Sequence, residues 1–105
     1  MTSESAVEPV LIIGGVDTHK HTHYAAALDI HGRLLGHREF PANKPGYSAL
    51  LTWMQAHGQV QAIGVESTGS FGATLTRHLT AAGITVVEVN RPLSLIHISE
   101  PTRPD

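Results

Sequence analysis

Apolar residues in this chain fall into short unbroken runs and spaced stripes, divided by glycine, proline and polar residues. Residues 10–16 (VLIIGGV) are continuously apolar and end on Asp17, the pattern of a strand buried on both faces. Residues 22–30 (THYAAALDI) form a second strand candidate built of small residues, and 33–40 (RLLGHREF) a third. The two-residue link His31-Gly32 between them predicts a hairpin. The segment PANKPG over 41–46 breaks the strand pattern and supplies Asn43 as a helix cap ahead of Pro45. Tyr47, Leu50, Leu51 and Met54 then repeat at helical spacing, predicting a helix over 47–56 that stops at Gly58. Residues 61–66 (QAIGVE) read as another buried strand, and Ser67 to Gly69 as a polar turn. Phe71, Leu75, Leu79 and Ala82 mark a helix over 70–82, ended by Gly83, and 84–89 (ITVVEV) a fifth strand. The order β-β-β-α-β-α-β calls for a mixed α/β sheet, antiparallel first and parallel later.

Composition narrows the function classes. The 105 residues suffice for one modest domain, with residues 1–9 as a flexible lead-in. No apolar run approaches the ~20 residues of a membrane span, and the first ten residues lack a signal-peptide pattern. The absence of cysteine excludes a disulfide framework and thiolate chemistry, and fits a cytoplasmic protein. Seven Lys and Arg against nine Asp and Glu give a net charge of −2, which argues against a self-sufficient electrostatic grip on nucleic acid.

Two acids stand out by position. Asp17 and Glu66 each close a buried strand, in flanks that rhyme: IGGVDT and IGVEST. Ligands in open α/β sheets bind beyond the carboxyl ends of the strands. Two carboxylates brought together there favour a divalent cation, and hard oxygen donors select Mg²⁺ or Mn²⁺. Such ions serve phosphodiester chemistry by activating an attacking oxygen and stabilising a leaving one. An acid at a strand end is also simply the first solvated position after burial; the repetition at two parallel-type strands favours a site.

The eight histidines are many for this length. His19, His21 and His23 alternate, so an extended segment would project them from one face, as a transition-metal site requires. The same alternation describes an ordinary exposed face, and nothing nearby completes a tetrahedral set. His19 and Lys20, directly after Asp17, are the better candidates to touch a phosphate of a nucleic acid. His31, His37, His57 and His78 fall at turns or polar helix faces and are expected to be solvated. The run Gly69-Ser70-Phe71-Gly72 can offer backbone N–H groups to an anion, yet matches neither a Walker A loop nor a dinucleotide fingerprint.

The segments GVDTHK from Gly15, HYAAALD from His23, Pro45-Gly46-Tyr47, GVESTGSFG from Gly64 and VVEVNRP from Val86 occur in one order and spacing between Ile12 and Pro92. In that arrangement the chain resembles the N-terminal domain of the DEDD transposases of the insertion-sequence family numbered one hundred and ten. The resemblance implies a RuvC-like, ribonuclease-H-like fold over residues 10–92, incomplete at the C-terminus. It implies a Mg²⁺-dependent (or Mn²⁺-dependent) DNA recombinase that cuts and joins strands of an insertion element. Asp17 matches the family's first acid and Glu66 its second, as catalytic and metal-binding residues. The implied partners are insertion-element and target DNA, an element-encoded guide RNA, and other copies of the chain, with no membrane. The family's later Lys-Ser-Asp-Pro-x-Asp-Ala type motif and its serine domain have no counterpart here, so the isolated chain is expected to be inactive.

Residues 93–103 (LSLIHISEPTR) continue neither period, and the final PTRPD is rich in breakers. One set of codons for these eleven residues resembles the mosaic-end and read adapter of transposon-based sequencing libraries, so 93–105 are read as a non-native tail. Two other function classes fit part of the pattern. An actin-like phosphotransferase shares the strand order but expects Asp-x-Gly-Thr, where this chain has Asp17-Thr18-His19-Lys20. A non-enzymatic nucleic-acid-binding module has the net charge of −2 against it.

Overall fold

A computed structural model describes residues 9–66 and 70–89. In it the chain runs β1 (Leu11–Thr18), β2 (Thr22–Asp29), β3 (Leu34–Pro41), α1 (Lys44–Gln55), β4 (Gln59–Glu66), α2 (Ala73–Ala81) and β5 (Val86–Val89). The five strands form one sheet in the order β3-β2-β1-β4-β5. β1 pairs antiparallel with β2, and β2 with β3, whereas β1–β4 and β4–β5 are parallel. This is the mixed sheet expected from the element order, and it is consistent with the ribonuclease-H-like fold that the family resemblance implies. Its most apolar run lies at the centre, where a strand is flanked on both sides.

Both helices pack on one face of the sheet. Ile12 and Val16 of β1, Ala25 and Ala27 of β2, Phe40 of β3, and Ile63 and Val65 of β4 form a single core with Tyr47, Leu50 and Met54 of α1 and Leu75 and Leu79 of α2. Helix α1 starts at Lys44, three residues earlier than its apolar stripe, because its first turn is well prepared. Asn43 Oδ1 accepts the Gly46 N–H at 2.8 Å, and Pro45 fits a first turn whose amides lack helical partners. A side chain at Gly46 would run into the Pro41 carbonyl oxygen, so the glycine lets α1 turn tightly away from β3. Gly14 does similar service in the sheet: a Cβ there would stand 2.7 Å from Met54 Cε, so its absence makes room for α1.

Several expectations shift. β1 is not buried along its whole length: on the face away from the helices Ile13 is 37% exposed, although Gly15 two residues on is buried. Helix α2 is shorter than the predicted 70–82, and Phe71 lies outside it, exposed, rather than in its apolar stripe. The β2–β3 connection is wider than two residues: Asp29 Oδ1 accepts from the amides of His31 and Arg33, and Gly32 turns at φ +85°. The expected turn at Ser67 to Gly69, the lead-in before Pro9 and the tail over 93–105 lie outside the described residues. No helix among the described residues is long and apolar enough to cross a membrane.

Candidate functional site

Parallel pairing decides where the two acids go. β1 and β4 align Val16 with Val65 and Asp17 with Glu66. Paired residues of parallel strands point to the same side, and Val16 and Val65 both enter the helix-covered core. Asp17 and Glu66 therefore share the opposite, open face, on strands about 4.8 Å apart. Thr18 fastens this end of the sheet: its Oγ1 donates to the Glu66 carbonyl oxygen at 2.9 Å and is buried. The Asp17 side chain is 17% exposed and Glu66 8% exposed, so both sit at a rim rather than in free solvent.

The loop after β1 brings one sequence-identified neighbour to the pair. His19 Nε2 lies 3.2 Å from Asp17 Oδ2, with the His19 side chain 60% exposed. Such an exposed contact adds little stability, but it orients one carboxylate oxygen. Lys20 is exposed in the turn beside it. Asp17, Glu66 and His19 thus gather at one end of the sheet. Among the described residues no group of three or more His, Asp or Glu could by itself hold a metal ion.

The histidine alternation reads differently in three dimensions. The segment from His19 to His23 is a hairpin, with the His19 amide donating to the Thr22 carbonyl at 3.0 Å, so its histidines do not share one extended face. His19 and His21 are exposed, but His23 is fully buried on the helix side of β2. Its ring stacks on Tyr47 at 5.7 Å, its Nδ1 lies 3.1 Å from the Thr22 carbonyl, and Nε2 has no hydrogen-bond partner among the described residues. Burial holds its pKa below the ordinary value of 6.5, against the raising effect of the Thr22 carbonyl and with help from the nearby charge of His19. His57 and His78 are half-buried on Trp53 and Tyr47, rather than solvated. Of the run from Gly69 to Gly72, Gly69 lies outside the described residues, Ser70 and Phe71 are exposed, and Gly72 is the N-cap of α2, in keeping with a turn plus helix cap.

Hairpin register adds residues that the motif reading passed over. β1 and β2 pair so that Asp17 faces Tyr24 and Gly15 faces Ala26, and β2 pairs with β3 so that Tyr24 faces Glu39 and Ala26 faces His37. The open face thus carries one row of Val89, Glu66, Asp17, Tyr24 and Glu39, and beneath it Val87, Gly64, Gly15, Ala26 and His37. The Tyr24 hydroxyl is hydrogen-bonded to His37 Nδ1. Counting outward from the HKHT turn would have found Tyr24 opposite Asp17.

Residues 14–100 match the family model of the IS110-type DEDD transposases, which is described as Transposase. The match takes in both acids and runs past Pro92 into the segment read as library-derived. No curated protein matches the chain. Among solved structures, Pelota from Archaeoglobus fulgidus is similar over 92% of this chain and 32% of its own, at 16% identity and a TM-score of 0.53. At that identity the likeness concerns the fold alone. A Ppx/GppA-family protein from Aquifex aeolicus is similar over 77% of this chain and 35% of its own, at 10% identity and a TM-score of 0.39. The chain therefore spans about a third of the length of the solved structures it matches.

Proposed function

This chain belongs to the IS110-type DEDD transposases, and on that premise we propose that it supplies the first two acids of a metal centre for DNA strand cleavage and joining. The observation that carries the reading is the register of Asp17 with Glu66 on adjacent parallel strands. Their donor chemistry fits Mg²⁺ or Mn²⁺: both are hard carboxylate oxygens on one face, at the strand ends where open sheets take ligands. Asp17 and Glu66 would hold the divalent cation, which would supply Lewis-acid polarisation of a phosphodiester and activation of an attacking oxygen.

The chain's own residues have distinct tasks in this reading. Asp17 and Glu66 offer oxygens from two strands, and the Thr18 hydroxyl keeps the strand tips in register by its bond to the Glu66 carbonyl. His19 orients Asp17 from the side, in the manner of outer-shell partners that fix a ligating carboxylate. Lys20 meets a phosphate of the DNA. Sequence choice is delegated to an element-encoded guide RNA, which accommodates a chain of net charge −2, and the working protein is a cytoplasmic homo-oligomer.

Two carboxylates are too few to hold two ions in working geometry, so the isolated chain neither cleaves nor joins DNA. The test is an excision and strand-joining assay on the whole reading frame that this segment belongs to. Asp17→Asn and Glu66→Gln are each expected to reduce product to background with the protein folded. Activity retained in either variant overturns the proposal.

A further inference from the structure

Beyond the acid pair, the open face holds a second polar feature. In the two rows around Asp17, the side chains able to donate a hydrogen bond are Tyr24 and His37; the others are acidic, apolar or glycine. Tyr24 is half-buried and His37 exposed, with their rings tilted at 49° and 5.4 Å apart. Although Glu39 lies directly opposite Tyr24 on β3, the hydroxyl bonds instead to His37, one row nearer Gly15. The other members of that row beside the carboxylates are Gly64, Gly15 and Ala26, which bring no polar side chain of their own.

From this we propose that Tyr24 and His37 form a neutral hydrogen-bonding station for a phosphate of a DNA strand, adjacent to the phosphate at Asp17 and Glu66. The inference rests on the reading above for what occupies the acid pair. β2 and β3 stand about 4.8 and 9.6 Å from β1, so the station lies across the sheet from the acids at the scale of neighbouring backbone groups. The tautomers make the pair a donor either way. If His37 Nδ1–H donates to the phenol oxygen, the Tyr24 O–H is free; if the phenol donates to Nδ1, the His37 Nε2–H is free. A phosphate oxygen beside two carboxylates is poorly served by a chain with few cations, and an uncharged donor contacts it without forming an ion pair with the acids. Tyr24 is a positioning residue here.

The test is binding of a fluorescein-labelled single-stranded DNA, and of its duplex, to the full chain with Ca²⁺ in place of Mg²⁺. Tyr24→Phe keeps the ring and is expected to weaken binding about 13-fold, the worth of one hydrogen bond to a charged group at the lower end. His37→Ala weakens it comparably, and the double variant no further than the stronger single one, because the two act as a unit. The slope of log affinity against log salt is unchanged in Tyr24→Phe, since no charge is lost, whereas Lys20→Gln lowers it by about one. Equal affinity of wild type and Tyr24→Phe, or no DNA binding by the wild type, overturns the proposal. Calorimetry with Mn²⁺ alone keeps the two ideas apart. Cation binding that survives while Tyr24→Phe behaves as wild type removes the station and leaves the acid pair. A clear Tyr24 effect with no cation binding removes the acid pair and leaves the station.

Discussion

Acidification tests the interior through one side chain. His23 is fully buried, stacked on Tyr47, with Nδ1 against the Thr22 carbonyl and Nε2 without a hydrogen-bond partner among the described residues. The carbonyl accepts, so Nδ1 carries the proton and the neutral ring leaves only a bare lone pair at Nε2. Protonation would put an N–H and a charge where neither is solvated, and the nearby charge of His19 disfavours it further. The folded-state pKa lies below the ordinary 6.5, so below that pH the unfolded chain binds more protons and stability falls as pH falls. Above about pH 6.5 the residue costs nothing further. The slope cannot exceed about 1.4 kcal/mol per pH unit for one proton. Between about pH 7.5 and 5.5 the loss is therefore at most about 1.4 kcal/mol. That is a substantial part of the roughly 5–15 kcal/mol available to a domain of this size. With a urea m-value near 1.5 kcal/mol/M, the midpoint falls by up to about 1 M. His23→Phe keeps the stack on Tyr47 and cannot titrate, so it should lose distinctly less stability over the same interval. Equal losses in wild type and variant would refute the reasoning.

Three further outcomes follow from local geometry. Asn43→Ala removes the bond to the Gly46 amide and should cost about 1 kcal/mol in urea denaturation, with Asn43→Asp restoring most of it. Gly46→Ala drives a methyl into the Pro41 carbonyl oxygen and should cost at least the about 1–3 kcal/mol typical of overpacking, read as a lowered thermal midpoint. The Asp29 carboxylate is held below its ordinary 3.8, chiefly by the Arg33 amide and also by the His31 amide, with desolvation opposing. Its contribution is thus complete above that pH and lost as pH falls below it, a step that Asp29→Asn should abolish in an acid titration followed by circular dichroism.

The parts of the fold that were legible in the sequence depend on one-dimensional signals. The run VLIIGGV became the central strand, paired with β2 on one side and β4 on the other, and Asn43 with Pro45 marked the N-terminal end of α1 from cap chemistry alone. The rhyme of IGGVDT with IGVEST reflects two parallel strands that end level, which is why Asp17 and Glu66 were identifiable before the register was seen. What escaped depended on pairing. The alternation of His19, His21 and His23 assumed one extended segment, but the β1–β2 turn falls inside it and returns His23 beneath α1. Phe71 fitted helical spacing yet stands outside α2, because spacing does not report where the first helical turn closes. Tyr24 and His37 carry no motif; only the registers of two successive hairpins bring them beside Asp17.

The most direct measurement of the central claim is a Mn²⁺ titration of the ¹⁵N-labelled chain, following paramagnetic broadening of each amide. Broadening that begins together at Asp17 and Glu66, spreads to Thr18 and Tyr24, and disappears in Asp17→Asn is the expected result. Broadening confined to the His19–His21 turn, or beginning at either acid without the other, would contradict a shared cation site.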